Sequence, residues 1–316
     1  MDVRAKMFAG VALFPRRWPR AASCGAAEAI TSTEWPYRDA RQRNEVMRGG
    51  QPTSGKAGMT GDMASVTWDM RGMVVAVTGG ARGIGLGIAE AFAQAGATVW
   101  MGSRNAKTGE AVAQRIRAGG RAVRFQPLDV ADQTSVRAFR DACLREAGHI
   151  DVLVNNAGVL ARKALLEMTE EECDAMLDIN VKGVFLCCQA VGEAMVAAKS
   201  GRIINISSTS AAAGAWKSTV YGATKAAIWQ FSRMLALEWA PHGILVNTIA
   251  PGAVPTDLNA NVMAIPEQRQ IILARIPLGR MGTPADVAGV ALFLASPAAD
   301  YLTGQVIFVD GGRMVT

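Results

Sequence analysis

After residue 70, short apolar runs alternate along the chain with segments whose apolar positions recur every three or four residues. The first run, MVVAV at 73–77, ends at Thr78-Gly79-Gly80, and a helical pattern follows over about 84–95. The pattern predicts further strands at 97–101, 122–126, 150–154, 202–206, 244–249 and 305–309, with helices near 106–118, 133–147, 170–197, 220–240 and 284–295. Because the strands are apolar throughout, they indicate a parallel sheet that is covered on both faces.

Right-handed crossovers between such strands predict an α/β fold: a single Rossmann-type, doubly wound parallel sheet of about seven strands with helices on both faces. Residues 70–316 contain no internal repeat and no linker, so we predict that they form one domain. Residues 1–69 show no sustained periodicity and mix Gly, Ser, Thr, Pro and Arg. We predict that this segment is a poorly ordered N-terminal extension.

Composition excludes several classes of protein. Of the 316 residues, 50% are hydrophobic and 19% are charged, as in soluble globular proteins, and no apolar run approaches the ~20 residues that span a bilayer. The net charge of +6 divides equally between residues 1–70 and 71–316, without a dense cationic stripe for nucleic acid. Five Cys without a CxxC pair and two distant His argue against a disulfide scaffold or a metal site. We therefore expect a cytoplasmic protein with neither a membrane nor a nucleic-acid partner.

The turn after the first predicted strand reads TGGARGIG at 78–85. Glycines there let the backbone approach a pyrophosphate, and the following helix offers free N–H groups and a positive dipole end. The predicted contacts are Gly79, Ala81, Arg82, Gly83, Ile84 and Gly85. The spacing is one residue longer than in the usual dinucleotide fingerprint, and the alternative is a turn that serves only close helix–strand packing.

A second candidate site lies on the helix that contains YGATK. Tyr221 and Lys225 are four residues apart and therefore project from the same face. A nearby ammonium lowers the pKa of a phenol, which then exchanges a proton more readily with a substrate oxygen. Ser207 and Ser208 end an apolar strand at the same sheet edge as the glycine turn, where a hydroxyl can hold a carbonyl. An isolated Tyr–Lys pair is more commonly a surface feature, but its combination with the glycine turn favours a catalytic site.

Six motifs occur in order: TGGARGIG (78–85), NNAG (155–158), DINVKG with Asn180, ISS (206–208), YGATK (221–225) and PGAVPT (251–256). Together they resemble the short-chain dehydrogenase/reductase family, particularly its 3-oxoacyl-[acyl-carrier-protein] reductases and its gluconate or glucose dehydrogenases. The resemblance covers residues 70–312. It implies the strand order 3-2-1-4-5-6-7 and a homotetrameric assembly.

The resemblance also implies catalytic roles. Tyr221 corresponds to the acid/base, and Lys225 to the residue that lowers its pKa and bonds the nicotinamide ribose. Ser208, thirteen residues before the Tyr, corresponds to the Ser that orients the carbonyl. Asn180 corresponds to the member that supports a water-mediated proton relay, although a polar residue that merely bends its helix is the alternative. No metal ligand is implied.

Further residues correspond to the family's cofactor contacts. These are Asn156, Ala157 and Gly158 after the fourth strand, Asp129 and Val130 after the third, and Pro251, Gly252, Val254 and Thr256 after the sixth. Tyr221 and Lys225 belong to this set as well. Without the resemblance, Asp129 would be interpreted as an acid that initiates a helix.

The residues after the second predicted strand favour NADP(H), while NAD(H) remains possible. An acid at the end of this strand normally accepts from the adenosine ribose hydroxyls and repels a 2′-phosphate. Ser103 stands at that position, and Arg104 follows it with a guanidinium suited to a phosphate. Arg82 offers a second positive charge, although both Arg side chains could instead be solvated.

We therefore expect an NADP(H)-dependent oxidoreductase that transfers a hydride between the nicotinamide and a ketone or secondary alcohol, in the manner of a 3-oxoacyl thioester reductase. The alternatives are an NAD(P)-dependent polyol or sugar dehydrogenase and a non-catalytic NADP-binding sensor or scaffold. The intact Ser208, Tyr221 and Lys225 argue against the last. Residues 259–275 correspond to a mobile substrate lid, and Arg275 and Arg280 are either structural or face an anionic tail.

Overall fold

A computed structural model describes residues 68–316, so the predicted extension lies outside the described residues except for its last two. The described chain is already packed where it begins. Trp68 lies with its ring centroid 6.2 Å from that of Phe293, and Met70 is only 1% exposed. The boundary near residue 70 stays a prediction.

Seven parallel strands form one sheet in the order β3-β2-β1-β4-β5-β6-β7. The strands are β1 (Val74–Thr78), β2 (Thr98–Ser103), β3 (Val123–Pro127), β4 (Val152–Asn155), β5 (Gly201–Ile206), β6 (Ile244–Pro251) and β7 (Val306–Val309). Every residue of β1 and β4 is buried, which is why their sequences are apolar without alternation. The predicted fold class and strand order are confirmed.

Helices cover both faces of this sheet. They are α1 (Gly83–Gln94), α2 (Ala106–Ala118), α3 (Gln133–Ala147), α4 (Glu170–Leu177), α5 (Gly183–Ala198), α6 (Thr219–Trp239), α7 (Ala260–Met263), α8 (Pro266–Leu273) and α9 (Pro284–Ala295). Two apolar clusters lie on opposite sides of the sheet, one around Phe92 and Val287 and the other around Phe139 and Val191. The fold is thus the doubly wound arrangement expected from the hydrophobic pattern.

The single long helix predicted at 170–197 is interrupted. A π-helical turn, Asp178–Lys182, separates α4 from α5 and contains Asn180. The whole stretch Glu170–Ala198 is long and apolar enough to cross a membrane by length and composition alone, with a mean hydropathy of 1.4 over 18 residues. Half of that window is buried within the domain, as in the core helix of a globular protein.

The helices α7 and α8 lie within the predicted lid, where the sequence pattern gave no helix. Neither contains a buried residue, and α7 is only four residues long. Because no apolar stripe faces the core, the periodicity that identifies the other helices is missing here. Pro266 occupies the first turn of α8, where a missing N–H has no cost.

Candidate active site

A cavity of about 360 Å³ opens at the carboxyl edge of the sheet, where the chain turns in opposite directions from β1 and β4. Crevices at such a switch point are the usual ligand sites of doubly wound sheets. Thirteen predicted cofactor residues line it: Gly79, Ala81, Arg82, Gly83, Ile84, Ser103, Arg104, Asp129, Val130, Asn156, Ala157, Gly158 and Thr256. The cavity therefore brings together segments that are far apart in the sequence.

The glycine turn and the NNAG segment hold each other in place. The Asn156 Nδ2 donates to the carbonyl oxygens of Thr78 and Gly79 at 3.0 and 3.1 Å. In return, the Thr78 hydroxyl oxygen accepts from the backbone N–H groups of Asn156 and Ala157, both at 3.0 Å. Gly79 has φ +65°, a conformation that favours glycine. The cavity floor is thus fixed by hydrogen bonds between strand ends.

Gly85 is one of six predicted cofactor residues that do not line the cavity. A Cβ at this position would lie 2.3 Å from both the Asn156 Nδ2 and the Gly79 carbonyl oxygen, so glycine is required for packing. A Cβ on Gly252 would likewise lie 2.8 Å from the Asp310 Cα. The remaining members of this set are Pro251, Val254, Tyr221 and Lys225.

Asp129 does not initiate a helix. Its Oδ1 accepts from the backbone N–H of Ala131 at 3.0 Å. The residue that caps α3 is Asp132, whose carboxylate accepts from the N–H groups of Thr134 and Ser135. The structure therefore decides against the helix-initiating interpretation of Asp129 and places its side chain at the cavity.

Seven lining residues were missed by sequence reasoning: Asn105, Thr108, Leu128, Val159, Ile179, Asp257 and Leu258. The sequence does contain a local signal for Asn105 and Thr108, since Asn is a preferred residue at the start of a helix. The Asn105 Oδ1 caps α2 by accepting from the Thr108 N–H at 3.0 Å. That cap places the start of α2 beside Ser103 and Arg104. The other five lie one or two residues from predicted site residues, but their residue types carried no signal of their own.

The Lys225 side chain is 5% exposed, and its Nζ donates to the Ile206 carbonyl oxygen at 3.0 Å. Burial lowers the pKa of this ammonium from 10.5 to about 8. The Nζ lies 5.8 Å from the centroid of the Tyr221 ring, as expected for residues one helical turn apart. Ser207 supports the same residue, since its hydroxyl donates to the Lys225 carbonyl oxygen at 2.8 Å.

Ser208 and Tyr221 face each other. A hydrogen bond from Ser208 and the positive charge of Arg162 lower the pKa of the phenol, but burial raises it more, so that it lies above its ordinary value. This direction is opposite to the one implied by the resemblance, and Lys225 is not among its causes. The physical reason is that desolvation of the phenolate outweighs both the Ser208 hydrogen bond and the Arg162 charge.

Asn180 is fully buried and connects three elements. Its Oδ1 accepts from the Val159 N–H at 2.8 Å, and its Nδ2 donates to the Val159 carbonyl oxygen at 2.9 Å and to the Thr224 hydroxyl oxygen at 3.1 Å. A Cβ on Gly158 would lie 3.2 Å from the Asn180 Oδ1 and 3.5 Å from the Lys225 Nζ. The cavity floor, the π turn and α6 therefore meet at Gly158.

Within residues 68–316, no group of three or more His, Cys, Asp or Glu side chains is placed to hold a metal ion. The described cysteines, Cys143, Cys173, Cys187 and Cys188, are free.

The family model described as "Enoyl-(Acyl carrier protein) reductase" matches residues 79–314, which is most of the chain. The chain belongs to the short-chain dehydrogenase/reductase family. This confirms the resemblance drawn from the six motifs. It also makes the protein an oxidoreductase of a family that uses NAD(P) and acts on CH–OH groups.

Relatives within this family have different substrates in their names. The chain is 43% identical over 237 residues to 3-oxoacyl-[acyl-carrier-protein] reductase of Chlamydia muridarum, covering 75% of this chain and 95% of the relative. It is 40% identical over 253 residues to D-threitol dehydrogenase of Mycolicibacterium smegmatis, with coverages of 79% and 97%.

A solved structure of gluconate 5-dehydrogenase from Burkholderia cenocepacia, in complex with NADP and tartrate, superimposes with a TM-score of 0.76. The two sequences are 36% identical, and the match covers 79% of this chain and 99% of that one. The expectation of an NADP-binding, short-chain oxidoreductase fold is thus supported at the level of the whole domain.

Proposed function

We propose that this short-chain dehydrogenase/reductase reduces a ketone to a secondary alcohol with NADPH, with 3-oxoacyl thioesters as its first candidate substrates. The observation that carries the proposal is that Ser208 hydrogen-bonds Tyr221, while the Lys225 Nζ lies 5.8 Å from the centroid of the Tyr221 ring and close to Gly158, which lines the cavity. A non-catalytic sensor or scaffold would need the cavity but not this set of side chains.

The cavity suits the 2′-phosphate of NADP. The Ser103 hydroxyl is buried and has no hydrogen-bond partner among the described residues, so a polar group of a ligand can satisfy it. No carboxylate follows β2, and Arg104 is exposed beside Ser103. Arg82 lies 3.8 Å from Asp257, an exposed pair that is weak and leaves the guanidinium able to bind a phosphate.

When bound, NADPH supplies the hydride, which the carbonyl carbon of the substrate accepts. Ser208 holds the carbonyl oxygen by a hydrogen bond, and Tyr221 donates the phenolic proton to that oxygen, so that an alcohol forms. Lys225 bonds the ribose and stabilises the phenolate that remains. Asn180 binds the Val159 N–H and the Thr224 hydroxyl, and it thereby holds the cavity floor against α6. A proton relay between the floor and this helix can return the proton to Tyr221.

Polyols and ketosugars are the second class of substrate, supported by the relatives named D-threitol dehydrogenase and gluconate 5-dehydrogenase. NADPH oxidation in the presence of acetoacetyl thioesters, ketosugars and diketones separates the classes. If acetoacetyl thioesters have the highest kcat/KM, the result supports 3-oxoacyl thioesters as substrates. If ketosugars have the highest kcat/KM, it supports polyols and ketosugars. NADPH binding without turnover of any compound would support the alternative of a non-catalytic NADP-binding sensor or scaffold.

We also propose a homotetramer in the cytoplasm. Exposed apolar side chains lie on neighbouring helices, with Phe185 on α5 46% exposed and Leu237 on α6 73% exposed, and Phe308 on the edge strand β7 is 39% exposed. Such surfaces are typical of contacts between subunits. Light scattering coupled to size-exclusion chromatography tests the assembly, with a monomer as the contradicting result. Free cysteines agree with a reducing compartment, which fractionation of cells would test.

A further inference from the structure

Three buried polar side chains form a row across the sheet near its carboxyl edge. Asn155 on β4 is in register with Asn205 on β5, and Asn205 is in register with Thr248 on β6. All three are at most 3% exposed. The Asn155 Nδ2 donates to the Asn205 Oδ1 at 2.9 Å and to the Cys188 Sγ on α5 at 3.2 Å. We call Asn155, Asn205 and Thr248 the polar row.

A single hydroxyl group on α6 binds the other two members of the polar row. The Ser232 oxygen accepts from the Asn205 Nδ2 at 2.8 Å and from the Thr248 hydroxyl at 2.9 Å. The Ser232 hydroxyl also donates to the Ile228 carbonyl oxygen in its own helix at 2.7 Å. A hydroxyl group has one proton to donate and two lone pairs to accept with, so all of its hydrogen-bonding capacity is used here.

The neighbouring row on the same face of the sheet is apolar. Leu153, Ile203 and Val246 lie two residues earlier on the same three strands, in the same register, and are buried. Side chains two residues apart in a strand lie on one face, so this face changes from apolar to polar towards its carboxyl edge. Apolar side chains can fill such a space without any need for hydrogen bonds. Burial alone therefore does not account for the polar row.

The polar row lies directly before the residues of the active site. The chain reaches Gly158, on the cavity floor, three residues after Asn155, and it reaches Ser208 three residues after Asn205. The hydrogen bond between the two Asn side chains therefore joins the strand that leads to the floor with the strand that leads to Ser208.

The helix α6 contacts these strands at two levels. Ser232 follows Lys225 by seven residues, or about two helical turns, so both side chains lie on the same face of α6. At the first level, the Lys225 Nζ donates to the Ile206 carbonyl oxygen, and the Ser207 hydroxyl donates to the Lys225 carbonyl oxygen. At the second level, Ser232 binds the polar row. Two separate levels fix both the position of the helix along the strands and its rotation.

Directional bonds matter here because the site requires accurate geometry. Apolar packing is not directional, whereas a hydrogen bond has a preferred distance and angle. A misplacement of about 1 Å in reacting groups can lower the rate ~10²-fold. A shift of α6 by that amount would move both Tyr221 and Lys225 relative to Ser208.

We propose that Asn205, Ser232 and Thr248 are positioning residues of the reductase. They hold α6 at the depth and rotation at which Tyr221 faces Ser208, and they act on the chemistry only through this helix and the strand ends. The proposal rests on the reductase function proposed above.

Two variants of different severity test this role in NADPH oxidation. The substrate is an acetoacetyl thioester, or the ketosugar or diketone that the unmodified protein reduces fastest. Ser232→Ala removes the acceptor of two hydrogen bonds and should lower kcat ~10-fold or more. The Kd for NADPH should stay within a few-fold, because the glycine turn and the NNAG segment are unchanged. Thr248→Val keeps the shape of the side chain and should lower kcat less, while Thr248→Ser keeps the hydroxyl and should restore it.

Ser296→Ala is the matched control. Ser296 is 2% exposed, its hydroxyl donates to the Phe293 carbonyl oxygen at 2.7 Å, and its oxygen accepts from the Ala298 N–H at 3.2 Å. It follows α9, which packs in the other apolar cluster. This variant should lower the melting temperature, as Ser232→Ala does, because both lose buried hydrogen bonds. Its kcat should be unchanged.

A second measurement does not depend on turnover. The Lys225 ammonium is desolvated because α6 lies against β5. In Ser232→Ala, water should reach this group. The pH dependence of urea unfolding that Lys225→Met removes, between pH 7 and 10, should therefore be smaller in the Ser232→Ala background than in the unmodified protein. In the Ser296→Ala background it should keep its full size.

Three results would overturn the positioning role. These are an unchanged kcat in Ser232→Ala and Thr248→Val, an equal loss of kcat in Ser296→Ala, and an equal loss in Thr248→Ser. If Ser232→Ala does not fold, the three other variants decide. Failure of the reductase function has a different signature, because the unmodified protein would then oxidise NADPH with none of the compounds. A smaller Lys225 titration in Ser232→Ala alone would still support the positioning of α6 in that case.

Discussion

The two sides of the active site are built differently. On the cofactor side, the Asn156 amide and the Thr78 hydroxyl join the ends of two fully buried strands by four hydrogen bonds of 3.0 to 3.1 Å. On the side of the predicted lid, α7 and α8 contain no buried residue. The first region is held in place by the core, whereas the second lies on the surface without an anchor in it.

This difference explains how one family reduces many substrates. A cavity made from strand ends and backbone groups suits a nicotinamide dinucleotide, since the sheet determines its position. A lid made from short exposed helices can change its side chains without loss of the core. The substrate class of this protein should therefore be determined by the predicted lid.

The largest expected effect concerns the residue at which the two sides meet. Tyr221→Phe keeps the ring and removes the hydroxyl, so turnover should fall by ~10²–10⁴-fold, as for loss of a positioned acid. NADPH affinity, measured by fluorescence titration, should stay within a few-fold because the variant leaves the cavity floor intact. Near-normal turnover would mean that Tyr221 is not the residue that donates the proton to the substrate oxygen.

The cofactor side should be sensitive to charge at the end of β2. Ser103→Asp combined with Arg104→Ala removes a phosphate ligand and adds a repulsive carboxylate, which plausibly costs ~2–4 kcal/mol, or roughly 30-fold to 1,000-fold in the KM for NADPH. The KM for NADH should fall. Arg137→Ala, at an exposed arginine on α3, serves as the control, and a wild-type preference for NADH would contradict the assignment.

A stability profile against pH tests the buried ammonium. The folded pKa of Lys225, about 8, lies below its ordinary value of 10.5. The unfolded state therefore binds more protons between these values, and the free energy of unfolding contributed by this residue rises with pH from about 8 to 10.5. Below pH 8 the residue destabilises the fold by up to a few kcal/mol.

Lys225→Met keeps much of the side-chain volume and removes the titration. Urea unfolding of both proteins from pH 7 to 10 should show a difference that shrinks as the pH rises, with the variant relatively more stable at the lower end. A difference that is constant with pH would mean that Lys225 is not desolvated in the folded protein.

The smallest effect is expected from the extension. Deletion of residues 1–62 retains Trp68, which packs on Phe293, and should leave the melting temperature and kcat nearly unchanged. Insolubility, or a melting temperature many degrees lower, would show that the domain begins earlier than predicted. A matched deletion of residues 1–72 should be destabilised because it also removes the buried Met70.

Local patterns explain why so much of the fold follows from the sequence. The bounds of α2 and α3 are those predicted, because Asn105 and Asp132 cap their first turns and apolar residues recur on one face. The sequence also allowed the prediction of Ser208, Tyr221 and Lys225. Ser208 follows the end of a strand, and Tyr221 and Lys225 are one helical turn apart. These relations span only a few residues, so they can be recognised before the arrangement of the strands is known.

Other features needed the assembled structure. The π turn at Asn180 forms around side-chain bonds to Val159 and Thr224, which are distant in the sequence. The pKa of Tyr221 is raised because burial, a tertiary property, outweighs Ser208 and Arg162. Arg275 and Arg280 look alike in the sequence, but the folded chain pairs Arg280 with Asp286 at 2.8 Å, which makes Arg280 structural.

The sequence by itself determined the doubly wound sheet, the glycine turn and the candidate catalytic residues, because hydrophobic period and residue spacing act over a few residues. Only the tertiary structure decided which charges form ion pairs and how strongly each ionisable group is desolvated. Both depend on the distances between segments that the chain separates and the fold brings together, and electrostatic free energy follows those distances rather than sequence order.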